Sequence, residues 1–119
     1  MAKETRKRVV VADDAPPVRR FVASVLADYP ELEVEYLDAY AEALLSLRRR
    51  PAHLLILDVS LAKKAELDAF LQDPADRPRA VLVASRAPAK SSRLDGNGDY
   101  VLSKPFSRVA LARIVSDLL

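Results

Sequence analysis

Residues 53–58 read HLLILD, four consecutive apolar side chains from Leu54 to Leu57 closed by the carboxylate of Asp58. A strand with one wet face alternates apolar and polar residues. A short unbroken run reads instead as a strand covered on both faces, as in a parallel sheet between two helix layers. The same grammar recurs outward from this segment, in RVVVAD (8–13) and EVEYLD (33–38) before it and AVLVAS (80–85) and YVLS (100–103) after it. Amphipathic stretches separate the runs. After the first, Val18, Phe21, Val22, Val25 and Leu26 share one helical face, and Pro16 and Pro17 suit the helix's first turn. AYAEALLSLRRR (39–50) predicts a second helix ended by Pro51, with Arg48, Arg49 and Arg50 complementing its negative end. KKAELDAFLQD (63–73) predicts a weaker helix, and SRVALARIVSDLL (107–119) a last one with Ser107 as N-cap. Five strands and about five helices in alternation predict a three-layer, doubly wound α/β fold around a parallel sheet.

Size and charge narrow the function. At 119 residues, half of them apolar and 6% aromatic, the chain suits one domain with an aliphatic core. Net charge is +2, but the first eight residues carry +3, which leaves the other 111 at −1. The basic excess therefore belongs to a flexible tail, residues 1–7, which carries +2 and leaves one domain over residues 8–119 with no net charge. Direct nucleic-acid binding by that domain is not expected. Without cysteine there is no disulfide, thiolate metal site or cysteine nucleophile, and no apolar run approaches the roughly 18 residues of a membrane span. A soluble, cytoplasmic protein is expected. The single histidine, His53, opens a strand with no second histidine to form a metal site or relay, and reads as a surface residue.

Ligands of doubly wound sheets collect beyond the carboxyl ends of the strands. There the sequence places Asp13 and Asp14, Asp58, Ser85 and Lys104. Clustered carboxylates repel unless a cation sits among them. The fitting occupant is Mg2+, a hard ion that takes one or two carboxylates and keeps positions for water and phosphate. Asp13 or Asp14 as a plain helix N-cap is the competing reading of DDAPP, and the company on the rim favours the metal.

VVADDAPPVRRFV, LLILDVSL, VLVAS and LSKPF, in this order and near these spacings, resemble the receiver domain of bacterial response regulators over nearly the whole chain. The resemblance implies a flavodoxin-like sheet of strand order 2-1-3-4-5. It also implies two-component signalling, in which Asp58 accepts a phosphoryl group from a histidine kinase or phosphotransfer protein. Asp13, Asp14 and Asp58 would then hold Mg2+ with the backbone carbonyl of Ser60. Lys104 would pair with the phosphoryl oxygens and Ser85 would donate to one of them. Phosphorylation would repack the surface of the fourth helix, fifth strand and fifth helix for a downstream protein. Such a domain is a switch with self-promoted phosphoryl uptake and loss, not a turnover enzyme.

Four departures from the pattern are visible. The loop after Asp58 has Ala62 and Glu66 where the family usually carries proline and glycine. Arg86 follows Ser85 where a small residue is usual, leaving three roles open: obstructing Asp58, binding phosphoryl oxygens, or facing solvent. Residues 86–98 barely suffice for a parallel crossover, and Pro88, Gly96 and Gly98 predict a fourth helix that is short, distorted or absent. The switch aromatic's place, three residues before the lysine, holds Val101, while Tyr100 lies one earlier and would reach the switch face only through a bulge at GDY. Two rivals stand beside the phosphorylated switch. One is a receiver-like interaction module that works without phosphorylation. The other is an aspartyl phosphatase, a weaker match because Ser60 stands where a second aspartate is usual.

Overall fold

A computed structural model describes residues 7–72, 78–84, 91–94, 99–103 and 107–118. Strand β1 (Lys7–Ala12) leads to helix α1 (Pro16–Leu26), β2 (Leu32–Leu37), α2 (Tyr40–Arg49) and β3 (Leu54–Asp58). A 3-10 turn (Val59–Leu61), α3 (Lys64–Gln72), β4 (Arg79–Ala84), β5 (Ser91–Leu94), β6 (Asp99–Ser103) and α4 (Arg108–Leu118) follow. The sheet runs β2-β1-β3-β4-β6-β5. Its first five members are parallel, in the order the sequence predicts, and β5 is antiparallel, on β6 at the edge of the described sheet. Where a short, distorted or absent fourth helix was expected, the described residues form this edge strand. A parallel crossover needs about a dozen residues, whereas an antiparallel neighbour needs only a turn.

Alternation along the central strands builds the two covered faces. Val9 and Val11 of β1 and Leu54 and Ile56 of β3 are buried against Val22, Val25 and Leu26 of α1 and Leu111, Ile114 and Val115 of α4. Val10, Ala12, Leu55 and Leu57 point the other way, onto Tyr40 and Ala43 of α2, with Leu67 and Phe70 of α3 packed alongside. The helical face read from Val18 to Leu26 is thus the one that meets the sheet. Ser107 caps α4 as expected, its Oγ accepting from the Ala110 N–H at 3.0 Å.

The amino-terminal edge of the sheet is tied by a buried cation. Arg8 donates to Glu35 Oε1, Ser46 Oγ and the Arg50 carbonyl, joining β1, β2 and α2. Arg50 in turn pairs with Glu33 at 2.7 Å, so it braces β2 in addition to ending α2. His53 is exposed, as expected, yet its Nδ1 accepts the Arg8 N–H at 3.0 Å while its own N–H donates to the Arg8 carbonyl at 2.8 Å. This edge holds the sheet together and leaves the opposite edge for chemistry.

Candidate functional site

Register alone brings two of the carboxylates together. Ala12 pairs with Leu57, so the next residues, Asp13 just past β1 and Asp58 at the end of β3, stand side by side, about one strand spacing apart. Asp14 follows on the same loop, and one carboxylate oxygen from each of the three residues lies within 4.8 Å of the others. Asp13 and Asp58 are buried, while Asp14 is exposed and gives the cluster a side open to water.

The helix-cap reading of these aspartates does not hold. Pro16 is the first residue of α1, which makes Ala15 the N-cap, and Ala15 makes no side-chain cap hydrogen bond. Asp13 Oδ1 instead accepts from the Ala15 N–H at 2.8 Å, two residues on, while the Asp13 N–H donates to the Leu37 carbonyl at 3.1 Å. Asp58 is fixed likewise: its Oδ1 accepts from both the N–H and the Oγ of Ser60, each at 2.9 Å, as the chain enters the 3-10 turn.

The departures in the following loop have structural reasons. The Ala62 N–H closes the 3-10 turn on the Val59 carbonyl at 3.2 Å, a bond that proline lacks the hydrogen to make. Glu66 sits in the first turn of α3 and accepts from the Lys63 N–H at 2.8 Å, half of a capping box. Its carbonyl accepts from the Tyr40 hydroxyl at 3.3 Å. Burial first, and the Glu66 charge second, push the Tyr40 phenol above its ordinary value.

Ser85 and Lys104 follow Ala84 and Ser103, the last described residues of β4 and β6, which pair with each other. They lie outside the described residues, as does Arg86. Tyr100 and Val101 are in β6, where Val81 to Ala84 pair one for one with Tyr100 to Ser103, so no bulge interrupts the ladder along these residues. Positions 100 and 102 fall on one face of the strand and position 101 on the other.

Two residues that the sequence reading passed over also stand at this edge. Asp38 follows β2 as Asp13 follows β1, and Arg19 of α1 forms an ion pair with it. Nη2 of Arg19 donates as well to the Asp13 carbonyl at 2.8 Å. With Asp14, Pro16 and Arg20 they line an open cleft of about 590 Å³. Burial pushes the nearby Tyr36 phenol above its ordinary value, and the positive charge of Arg19 acts against that rise. The signal for Asp38 was its place at a strand end; Arg19 had none, because its partners come from the β1–β2 pairing.

The donor set fits a hard divalent cation. Three carboxylates converge at the end of two strands, one of them exposed, and among the described residues no softer ligand joins the cluster. Among the described residues no helix is long and apolar enough to cross a membrane.

No protein-family model matches the sequence, and no curated protein matches it either. Solved structures do. A signal receiver domain from Bermanella marisrubri is 26% identical, with a TM-score of 0.68 over 96% of this chain and 98% of that one. The fold is that of a response-regulator receiver domain. CheY6 of R. sphaeroides, solved with the P1 domain of CheA3, is matched at 23% identity and TM-score 0.69, over 97% of this chain and 98% of that one. RcsB of Salmonella enterica serovar Typhimurium, bound to promoter rprA in the presence of the phosphomimetic BeF3−, is matched at 17% identity and TM-score 0.72. The match takes in 94% of this chain, which spans 61% of that RcsB chain.

Proposed function

We propose that the chain is a two-component receiver that takes a phosphoryl group onto Asp58 and changes its protein contacts in response. The observation that carries this reading is the in-register convergence of Asp13 and Asp58, with Asp14 beside them, at the carboxyl edge of a receiver fold. In the transfer, an Asp58 carboxylate oxygen forms the new bond to phosphorus as the phosphorus–nitrogen bond of a kinase phosphohistidine breaks, and the freed imidazole nitrogen takes up a proton. Ser60 holds Asp58 in place through two hydrogen bonds to one oxygen, and the Asp13–Ala15 turn keeps the neighbouring carboxylates close. Mg2+, held by Asp13, Asp14, Asp58 and the Ser60 carbonyl, would neutralise the charge gathered on the transferred group. Lys104 and Ser85 are the proposed partners of the phosphoryl oxygens.

The kinase partner is proposed from the site and from the fold shared with CheY6, which was solved with a P1 domain. The downstream partner is a protein that binds the face built from β5, β6 and α4, the counterpart of the surface expected from the sequence. The cluster of carboxylates argues against direct nucleic-acid binding at this edge. One observation favours the rival interaction module: β5 stands where the receiver pattern has a helix, so the contact face differs from the usual one.

Intact mass after incubation with Mg2+ and a small acyl phosphate tests the proposal. One phosphoryl adduct on the wild type, absent from Asp58→Ala and from chelated samples, is expected. Partner binding that is identical in Asp58→Ala and in the phosphorylated wild type would favour the module, and sustained turnover of a simple phosphate ester would revive the phosphatase.

A further inference from the structure

Asp13 faces a difficulty built into the sequence. Donors to a carbonyl at the start of a helix come from the main chain three or four residues on, and for Asp13 those residues are Pro16 and Pro17, which have no N–H. The carbonyl is satisfied instead by a side chain. Arg19 Nη2 donates to it at 2.8 Å, and the same nitrogen pairs with the Asp38 carboxylate at the end of β2. The Arg19 main-chain N–H bonds the Ala15 carbonyl at 3.0 Å as the first helical bond of α1, so the residue whose side chain reaches the Asp13 carbonyl is itself anchored to the far end of the three-residue corner that carries Asp14. Its Nε is buried and makes no hydrogen bond among the described residues. An unsatisfied buried donor costs about 1–3 kcal/mol. The side chain nevertheless stays where its terminal nitrogen spans two strand ends.

We infer that Arg19 is a positioning residue for the carboxylate site: by clamping the Asp13 carbonyl to Asp38 it holds the Asp13–Asp14 corner at the spacing a divalent cation requires. The inference rests on the reading of this cluster as a Mg2+ site. Arg19 does not ligate the metal. Its contribution is to keep the corner of the loop from relaxing under the mutual repulsion of the carboxylates, as partners behind metal ligands do elsewhere.

The test is the Mg2+ dissociation constant, measured calorimetrically, of the wild type, Arg19→Gln, Arg19→Lys, Asp38→Asn and, as a control, Leu111→Ala in the core between α4 and the sheet. Loss of a supporting partner weakens metal binding by about 10-fold or more. That loss is expected for Arg19→Gln, with faster amide exchange at Ala15 in the metal-free protein. Arg19→Lys, which keeps a charged nitrogen with three donors, is expected to recover much of the affinity, and Asp38→Asn to lose part of it. Leu111→Ala is expected to keep the wild-type constant despite a lower stability. Binding by Arg19→Gln within twofold of the wild type overturns the inference. If that variant does not fold, an unchanged constant in Asp38→Asn overturns it, since Asp38 is exposed. Equal weakening in Leu111→Ala overturns it too, by reducing the effect to general stability. A wild type that binds no Mg2+ brings down the metal reading itself and this inference with it, an outcome distinct from a wild type that binds normally while Arg19→Gln matches it.

Discussion

Replacing Asp14 with asparagine is expected to stabilise the metal-free protein and to abolish its stabilisation by Mg2+. Asp14 is exposed, and its carboxylate lies within 4.8 Å of oxygens of both Asp13 and Asp58. Two unit charges about 5 Å apart repel by about 0.8 kcal/mol in water, and salt reduces this further, so removing both repulsions gains about 1 kcal/mol. The unfolding entropy of a 119-residue chain is about 0.25 kcal/mol per kelvin, which converts that gain into a rise of about 4 °C in Tm. A bound metal acts more strongly. Mg2+ at a hundred times its Kd adds about 2.7 kcal/mol, or about 11 °C, to the wild type. Scanning calorimetry of both proteins, with chelator and with Mg2+ at matched ionic strength, measures all four values. A carboxylate serving only structure gives the opposite pattern: Asp14→Asn melts no higher than the wild type without metal, or keeps the full Mg2+ increment. Either result refutes the reasoning.

Other substitutions separate the frame from the site. Leu111→Ala empties space in the core between α4 and the sheet and is expected to cost about 2–5 kcal/mol in urea unfolding; a cost below about 1 kcal/mol would mean that α4 does not close that face. Arg8→Ala is expected to lower stability by about 2 kcal/mol, because Ser46 and the Arg50 carbonyl lose their donor. Phosphoryl uptake is expected to be unchanged in that variant, since Arg8 lies roughly 16 Å of strand away from Asp13; a labelling defect in a folded Arg8→Ala would break the division between the two edges. The raised folded-state value of Tyr40 makes it a source of stability that is fully present below about pH 10 and lost as pH rises through the folded value. Tyr40→Phe is therefore expected to flatten the alkaline fall in Tm, and an unaltered profile would remove Tyr40 as its cause.

The central strands are legible because their burial is two-sided: Leu54 to Leu57 and Val9 to Val11 could be covered only by helices on both faces. Asp13, Asp14 and Asp58 follow from the same fact, since a parallel register turns the ends of apolar runs into one edge. Ser107 announced its helix through local chemistry alone. What escaped the sequence depends on partners distant along the chain. SSRL at 91–94 has no alternation and few apolar residues, and it becomes a strand through pairing with β6. The clamp on Asp13 needs Arg19 and Asp38 to meet across 19 residues, which the β1–β2 register arranges. Pro16 opens α1 and makes Ala15 its N-cap, which frees both aspartates from the capping role that DDAPP suggested.

The most direct measurement of the central claim is chemical trapping of the acceptor. Reduction of an aspartyl phosphate by borohydride converts that residue to homoserine, and peptide mass mapping after labelling with acyl phosphate and Mg2+ reads its position. Homoserine at position 58 and nowhere else is the predicted result. Homoserine at position 13 or 14, or none under conditions that label another receiver, would contradict the account.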